Sequence, residues 1–254
     1  MRITLAQSVW VVRSGGVIDR LAPRNRPEGP NAGTQSWRDL LFVHWELPVE
    51  AVRAAVPASM ELDLWEGRAL VGVVPFSMEA VRPSWLPDVL AVDFLETNVR
   101  TYVVVNGEPG VFFLSLEAES LPAVIAARAT FGLPYHHARM SRDRQGTLER
   151  YESERTTDGA RLSARWRRGA DLETPALGSL EFFLLERYLL FVDRGGEVLK
   201  GQVHHVPYPA HTVEQLEIRE TLIRAAGLPA PTGAPFCAHG SVGVDVEVFG
   251  LVAP

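Results

Sequence analysis

Four polar side chains alternate along one predicted strand, and together they have the chemistry to bind and protonate a small molecule. Glu96, Asn98, Arg100 and Tyr102 occupy every second position of the segment 95–103. Because the side chains of a strand alternate between its two faces, these four share one face. A carboxyl group can act as a general acid or base, and a guanidinium group can bind an anion. The pattern leaves two interpretations open: a solvated outer face, which is the more common, or the wall of a ligand cavity in a closed β-barrel.

A second set of polar residues lies on the predicted hairpin partner of this strand. Ser115 and Glu117 follow the same two-residue spacing within the segment 111–118. Antiparallel pairing brings Arg100 close to a carboxylate, in the geometry of an ion pair or of a carboxylate clamp. We therefore expect Ser115 and Glu117 to lie beside Arg100.

Two pairs of adjacent histidines do not predict a metal site. The pairs are His136–His137 and His204–His205. Adjacent strand residues point to opposite faces, so the members of one pair cannot hold one metal ion together. One member of each pair can still face a cavity and act as an acid or base.

The composition disfavours several functional classes. The net charge of −6 and the isoelectric point of 5.7 argue against a nucleic-acid partner. The single cysteine, Cys237, excludes an internal disulfide and suits the reducing cytoplasm, where we expect the protein. No apolar run approaches the roughly 18 to 20 residues of a membrane span, so no membrane partner is expected. The chain has no phosphate-binding loop and no dinucleotide fingerprint, so no cofactor is predicted.

Recurrent strand and turn signals around a few helices predict an α+β fold with a mainly antiparallel sheet, as a barrel or sandwich with helices packed outside. Residues 120–131 predict a helix that Ser120 caps and Gly132 ends. Residues 20–36 are rich in Pro, Gly, Asn and Arg and are typical of a linker. We therefore predict an N-terminal extension and linker over 1–36 and a single domain over 37–254.

Three local patterns carry further expectations. Residues 61–76 flank a Glu-Gly turn and predict a hairpin. Residues 180–189 predict an apolar helix, with Glu186–Arg187 at its solvated edge. The strands 148–155 and 161–167 interleave arginines with glutamates, which favours a salt-bridged outer sheet over a phosphate-binding surface.

Several segments in one order resemble a single bacterial family. They are WRDLLFVHWELP at 37–48, LDLWEGRALVGVVPF at 62–76, FLETNVRTYV at 94–103, GVFFLSLEA at 110–118, ARATFGLPYHHARM at 127–140, LEFFLLERYLLF at 180–191 and GQVHHVPYP at 201–209. Together they resemble the YqjF-like bacterial proteins, a family of unknown function. That family in turn resembles the acetoacetate decarboxylase superfamily, which implies a β-barrel or cone with a central pocket.

The resemblance also implies roles for individual residues. In the superfamily a glutamate follows a strand start much as Glu96 does, and a glycine–aromatic–proline–lysine–lysine run supplies the lysine that forms a Schiff base. The most similar run here is 132–136, which places Tyr135 at the position of that lysine and His136 at that of the second lysine. A phenol cannot form an imine. Lys200 is the only lysine of the chain and lies outside this motif, so the resemblance implies the pocket without the Schiff-base mechanism.

We therefore expect a pocket for a small organic acid or carbonyl compound, with acid–base chemistry that needs no lysine. Arg100 would hold the anionic group and Glu96 would act as general base. Tyr135 and His136 would supply hydrogen bonds or protons in a lyase, hydratase or isomerase reaction. The remaining ligand-binding candidates are Asn98, Tyr102, Ser115, Glu117 and Arg139.

Two alternatives to an enzyme stay open. The same pocket could bind or sense a ligand without turnover, or the protein could be structural, because a fold does not establish a chemistry. Relatives of the fold often self-assemble, so a homodimer is a further hypothesis.

Overall fold

The computed structural model describes residues 12–13 and 16–254, with side chains from residue 18 onward. The strands are β1 (Val12–Arg13), β2 (Gly16–Val17), β3 (Gly33–Leu47), β4 (Glu61–Leu62), β5 (Ala69–Pro83), β6 (Val92–Val105), β7 (Glu108–Ala118), β8 (Tyr135–Gln145), β9 (Leu148–Arg155), β10 (Arg161–Asp171), β11 (Leu189–Arg194), β12 (Glu197–His204), β13 (Ala210–Glu220) and β14 (Cys237–Val248). The α-helices are α1 (Val49–Ala55), α2 (Leu121–Phe131), α3 (Leu180–Leu185) and α4 (Leu222–Ala225). No helix in the described part of the chain is long and apolar enough to cross a membrane.

Strands β3 to β14 form one sheet of 12 strands whose pairings close on themselves. One closed circuit runs β7–β8–β9–β10–β13–β14–β3–β5–β6 and returns to β7. A second circuit runs β7–β11–β12–β14–β3–β5–β6 and also returns to β7. The pairings are antiparallel except β7–β8 and β7–β11, in agreement with the predicted mainly antiparallel sheet. The sheet is therefore ring-like, and β14, β3, β5, β6 and β7 belong to both circuits.

The shared strands are buried on both faces because each face has its own hydrophobic cluster. Val43 and Val99 pack in one cluster with Tyr151, which we call the Tyr151 core. Phe42 and Tyr102 pack in the other, which we call the Tyr102 core. The side chains of successive residues in one strand therefore point into different cores. Strands covered on both sides have nearly continuous apolar runs, as β3 and β5 do.

The connection from β7 to β8 positions the candidate residues of β8. Ser120 caps α2 by accepting a hydrogen bond from a backbone amide of the first turn at 3.4 Å. Gly132 ends the helix in the left-handed region at φ 67°, which glycine adopts without strain. The chain then enters β8 parallel to β7, so that Tyr135 lies beside Leu116. The predicted helix and both of its caps are confirmed.

Of the predicted hairpin over 61–76, the turn at Glu66–Gly67 is confirmed, but the predicted pairing of its two strands is wrong. β4 pairs with β6, and only an isolated bridge between Trp65 and Arg68 joins the two segments that flank the turn. The reason is that β5 pairs with β3 along one edge and with β6 along the other, so neither edge is left for β4.

The two charges that follow α3 are buried, contrary to the predicted solvated helix edge. Glu186 is 5% exposed and Arg187 is 8% exposed. Arg187 Nη1 donates to Asp63 at 2.7 Å, and Glu186 accepts the hydroxyl hydrogen of Tyr188. Each charge has a hydrogen-bonding partner, which makes its burial tolerable.

The predicted linker over 20–36 lies against the sheet. Arg20 contacts Asp63 at 2.7 Å, and Arg26 contacts Glu247 at 2.7 Å. The last residues of this segment already belong to β3, which begins at Gly33. The start of the predicted extension, residues 1–11 and 14–15, lies outside the described residues.

Candidate functional site

A carboxyl–phenol pair, with a buried carboxyl and a partly buried phenol, lies between β6 and β8. The hydroxyl of Tyr135 donates a hydrogen bond to Glu96 Oε2 at 2.8 Å. Glu96 is 3% exposed, and its backbone carbonyl accepts a second hydrogen bond from the Tyr151 hydroxyl at 2.8 Å. Glu96 pairs across the strands with Ala118, a residue of the Tyr102 core, so its carboxyl faces that core. Two of the three predicted catalytic residues are therefore in direct contact.

Burial makes Glu96 an acid at neutral pH. Loss of solvation is the largest influence and raises the pKa of Glu96 to about 8, although the hydrogen bond from Tyr135 lowers it. The nearby Glu117 carboxyl raises the pKa of Glu96 further. Burial likewise raises the pKa of Tyr135 well above its ordinary value. A pKa of about 8 favours the protonated form of Glu96 at pH 7, which is the form that can donate a proton; the role of general base belongs to the ionised form and stays a prediction.

The guanidinium group of Arg100 is buried without an acidic partner in the described part of the chain. Arg100 Nη2 donates to the Leu184 carbonyl at 3.1 Å, and the guanidinium carbon lies 5.2 Å from the centre of the Phe42 ring. Arg100 Nε and Asn98 Oδ1, on the same strand face, have no hydrogen-bond partner among the described residues. Buried polar atoms without partners are rare and costly in folded proteins. These two atoms therefore mark this face as a candidate binding surface.

Tyr102 and His44 complete the polar row. The Tyr102 hydroxyl donates to the same Leu184 carbonyl at 3.1 Å and lies 2.7 Å from His44 Nε2. Burial and then the charge of Arg100 lower the pKa of His44 well below its ordinary value. Gly72 pairs with both His44 and Arg100, and a Cβ atom at Gly72 would lie 2.9 Å from His44 Nε2. Sequence reasoning missed His44, and a glycine inside an apolar strand was the signal that could have found it.

The predicted ligand residues of β7 lie on the opposite face of the hairpin. Glu117 forms a buried ion pair with Arg155 at 2.5 Å. Ser115 donates to Glu117 and accepts a hydrogen bond from Arg155 at 2.8 Å. Glu117 pairs across the strands with Thr97, so it points away from the Glu96 face. The prediction that Arg100 lies beside this carboxylate is wrong.

A β-bulge explains the difference. Arg100 pairs with Phe113, whereas the preceding Val99 pairs with Ser115, so β7 contains one extra residue, Leu114. Because side chains alternate with a period of two, one inserted residue turns every following side chain to the other face. The polar residues of β6 share one face, as predicted, and so do Ser115 and Glu117 of β7. These two faces, however, lie on opposite sides of the hairpin.

His136 and Arg139 also lie away from Glu96. His136 pairs with Glu117 in the parallel register and therefore faces the ion pair. Burial, followed by the charge of Arg155, lowers the pKa of His136. The side chain of Arg139 is 79% exposed on the outer surface. The structure thus brings neither residue to the Glu96 face.

Arg155 is a buried charge that the sequence placed on an outer, salt-bridged sheet. It is 3% exposed and shares a face of β9 with the buried Tyr151 and Ser153. Glu117 Oε2, Arg155 Nε and Ser153 Oγ have no hydrogen-bond partner among the residues the structure describes. Tyr151 lies at the same two-residue spacing as Arg155 along β9, and this large apolar side chain was the signal that their shared face is buried.

Two pockets among the described residues lie away from this face. Neither is lined by Glu96, Tyr135 or Arg100. The larger one has a volume of about 360 Å³ and lies beside β3, β12 and β14. Within the described part of the chain, no three His, Cys, Asp or Glu side chains converge as metal ligands.

Comparison with known proteins identifies the family. Residues 34–245 match the DUF2071 family, which is described as an uncharacterised conserved protein. The chain belongs to this family. It is also 35% identical to the uncharacterised protein YqjF of Bacillus subtilis strain 168 over 211 residues, which cover 82% of this chain and 87% of YqjF. The predicted membership of a YqjF-like bacterial family is confirmed.

Solved structures show the fold that this DUF2071 chain adopts. Acetoacetate decarboxylase from Legionella pneumophila superposes with a TM-score of 0.61, covering 98% of both chains at 14% identity. The enduracididine biosynthesis enzyme MppR, solved with pyruvate, has a TM-score of 0.61, covering 89% of this chain and 91% of its own at 12% identity. An acetoacetate decarboxylase-like enzyme from Sphingomonas wittichii RW1 has a TM-score of 0.61 at 11% identity, covering 88% of this chain and 93% of its own. The predicted acetoacetate decarboxylase-like fold is confirmed.

The only lysine of this DUF2071 protein lies apart from the Glu96 face. Lys200 Nζ contacts Glu108 at 2.7 Å. Glu108 begins β7, whereas the residue that pairs with Glu96, Ala118, ends it. Because an imine needs a primary amine, no described side chain beside Glu96 can form one with a ketone.

Proposed function

We propose that this DUF2071 protein binds a small organic acid that carries a carbonyl group and transfers a proton to it without forming a Schiff base. The observation that carries the proposal is the buried Arg100, which has no carboxylate partner in the described part of the chain and shares a strand face with the protonated Glu96. A buried charge without a partner is costly. An anionic ligand would supply the missing partner.

The polar row assigns a role to each group. Arg100 would hold the carboxylate of the ligand, and Asn98 Oδ1 would accept a hydrogen bond from a hydroxyl or enol group. Glu96 would donate its proton to the carbonyl oxygen or to an adjacent carbon, and the hydroxyl of Tyr135 would stabilise the carboxylate that remains. The Cα atoms of Glu96 and Arg100 are about 13 Å apart along an extended strand, so their side chains can approach one small molecule from its two ends.

The reaction class follows from these roles. Protonation of a carbonyl compound next to a held carboxylate suits a lyase, hydratase or isomerase reaction. Two structural neighbours support small oxo acids as the substrate class: one is named for acetoacetate, and the other was solved with pyruvate. We also infer that the ring-like sheet is a closed barrel or cone that encloses the polar row.

Binding without turnover is the second candidate function. Glu96 and Tyr135 already satisfy each other with a hydrogen bond of 2.8 Å. A sensing module can keep such a site closed until a ligand shifts the population toward an open state.

Ligand binding is tested by a thermal-shift titration with pyruvate and acetoacetate. A ligand at 100 times its Kd stabilises the folded state by about 2.7 kcal/mol. We expect this shift in the wild type and in the control Arg139→Met, which removes an exposed guanidinium, but not in Arg100→Met. An equal shift in all three proteins, or none in any of them, would contradict the proposal.

Turnover separates the two candidate functions. Proton NMR in D₂O follows deuterium incorporation into the methyl group of pyruvate and the loss of acetoacetate. An acid–base enzyme should lose this activity in Glu96→Gln while keeping the pyruvate-induced shift. Binding by a wild type that turns over neither compound would favour the sensing module, and a borohydride-trapped adduct at Lys200 would contradict the lysine-free mechanism.

A further inference from the structure

A line of paired residues crosses four neighbouring strands on the Glu96 face. Cys237 of β14 pairs with His44 of β3. His44 also pairs with Gly72 of β5, which pairs in turn with Arg100 of β6. Cross-strand partners share one face of a sheet. A Cβ atom at Gly72 would lie 2.9 Å from His44 Nε2 and 3.6 Å from Arg100 Cγ, so the glycine leaves room for both side chains over β5.

Two further groups join His44 to Arg100 by hydrogen bonds. His44 Nε2 lies 2.7 Å from the Tyr102 hydroxyl, and this hydroxyl donates to the Leu184 carbonyl at 3.1 Å. Arg100 Nη2 donates to the same carbonyl at 3.1 Å. A carbonyl oxygen has two lone pairs, and these two donors occupy both of them. His44 and Tyr102 are almost completely buried, so solvent does not compete for these contacts.

The position of one hydrogen on His44 decides how this series of contacts is arranged. Burial, followed by the charge of Arg100, lowers the pKa of His44 well below its ordinary value, so the ring is neutral and carries a single N–H group. The Tyr102 hydroxyl also has one hydrogen. When it donates that hydrogen to Leu184, its oxygen accepts one from His44 Nε2. His44 Nδ1 then keeps a lone pair, which the thiol of Cys237 faces at 4.0 Å as a weak donor.

The other tautomer of His44 satisfies these groups less well. A hydrogen on Nδ1 would face the Cys237 sulfur, which is a weak acceptor, at 4.0 Å. Tyr102 would then donate to His44 Nε2 and release the Leu184 carbonyl. Buried N–H groups without a good acceptor are costly, so the geometry favours the tautomer with its hydrogen on Nε2.

We propose that His44 is a positioning residue for the anion site. As the Nε2–H tautomer it holds the Tyr102 hydroxyl on one lone pair of the Leu184 carbonyl, which confines the guanidinium of Arg100 to the other. Arg100 Nε has no partner among the described residues, and with Nη2 held it stays available to the carboxylate of a ligand. This role rests on the proposed binding of an oxo acid by Arg100, and His44 acts on that binding through Tyr102.

The first test needs no ligand. Long-range ¹H–¹⁵N NMR of the full chain labelled in histidine, assigned with His44→Gln, shows at pH 7 which ring nitrogen carries the hydrogen. We expect a neutral ring with the hydrogen on Nε2. In arginine-labelled protein, rotation of the Arg100 guanidinium about its Nε–Cζ bond should be about tenfold faster in His44→Leu than in the wild type. A hydrogen on Nδ1, a charged ring, or an equal rate of rotation would overturn the proposal.

The second test is a double-mutant cycle on the affinity for pyruvate, measured by isothermal calorimetry. His44→Leu and Tyr102→Phe should each weaken binding by about tenfold, and the double variant should bind no more weakly than either of them. His44→Gln, whose side-chain amide can donate to the Tyr102 oxygen, should bind within about threefold of the wild type. Losses that multiply in the double variant would mean that His44 does not act through Tyr102.

His211→Leu is the matched control. His211 is also a buried histidine, but its Nδ1 lies 3.0 Å from the Thr212 carbonyl on β13. This variant should leave the tautomer of His44, the rotation of Arg100 and the affinity for pyruvate unchanged. A wild type that has the Nε2–H tautomer and slow rotation but binds no pyruvate would contradict the proposed function alone. Pyruvate binding that His44→Leu does not weaken would overturn the positioning role alone.

Discussion

The two faces of the β6–β7 hairpin bury the same kinds of ionisable side chain in different arrangements. On one face, Glu117 and Arg155 lie 2.5 Å apart and neutralise each other. On the other face, Glu96 bonds to Tyr135, and Arg100 contacts a backbone carbonyl instead of a carboxylate. An ion pair that is complete within the fold holds the fold together. Ionisable groups that are buried but kept apart do not follow the usual rules of stability, which is typical of functional sites.

The largest expected effect comes from breaking the complete pair. Arg155→Met leaves the Glu117 carboxylate buried without its partner, and we expect the free energy of unfolding to fall by about 3–5 kcal/mol. Arg100→Met leaves no carboxylate behind and should lower it by only about 1 kcal/mol. Urea unfolding of both variants measures the difference. If Arg100→Met were as destabilising as Arg155→Met, the contrast between the two faces would be wrong.

Because the pKa of Glu96 is raised, the free energy of unfolding should depend on pH through this residue. Below the ordinary value of 4.5 the carboxyl is protonated in both states, so its full contribution to stability is present. As the pH rises toward about 8, the unfolded state ionises first, and the free energy of unfolding falls by up to about 1.4 kcal/mol per pH unit. The glutamine of Glu96→Gln cannot ionise, so the variant should not show this fall in the free energy of unfolding.

Urea unfolding of the wild type and Glu96→Gln across this pH range measures the effect. The stability of the variant relative to the wild type should increase steadily with pH. Two parallel curves would show that Glu96 ionises at its ordinary pKa.

Removing the Tyr135 hydroxyl should sharpen this dependence. Tyr135→Phe deletes a hydrogen bond that lowers the pKa of Glu96, so that pKa should rise above its wild-type value, with a loss of about 1–2 kcal/mol in stability. Tyr151→Phe is the matched control, because its hydroxyl contacts the backbone carbonyl of Glu96 and not its carboxyl. The pH dependence of unfolding reports both. If Tyr151→Phe changed the pKa of Glu96 as much as Tyr135→Phe does, the hydrogen bond from Tyr135 would not be what sets that pKa.

The smallest expected effect is that of Arg139→Met. Its guanidinium is exposed on the outer surface, so the free energy of unfolding should change by no more than about 0.5 kcal/mol. A thermal melt is sufficient to check this. A loss comparable with that of Arg155→Met would mean that Arg139 is not on the surface.

Local signals in the sequence were enough to predict much of the scaffold. The caps at Ser120 and Gly132 defined α2, and the β6–β7 hairpin followed from two strands around a short turn. The contact of Glu96 with Tyr135 agrees with their assignment to one site, which rested on the resemblance to a known superfamily.

The rest depended on tertiary features that a single sequence does not display. The extra residue Leu114 turns Ser115 and Glu117 to the opposite face, and nothing in the local pattern marks this bulge. Arg155 and Arg187 resemble surface charges in sequence, and they are buried because Glu117 and Asp63, from distant parts of the chain, pair with them there. Partners that are far apart in sequence decide which charges a fold can bury.

The most direct test of the Glu96 face is the ionisation of Glu96 itself, with and without a small oxo acid. Carbon-13 NMR of glutamate-labelled protein, assigned with Glu96→Gln, can follow this carboxyl between about pH 5 and 9 in the free protein and with saturating pyruvate. We expect a pKa of about 8 in the free protein and a shift on addition of pyruvate that is absent in Arg100→Met. A carboxyl that titrates near its ordinary value and does not respond to pyruvate would contradict both the buried acid and the anion site beside it.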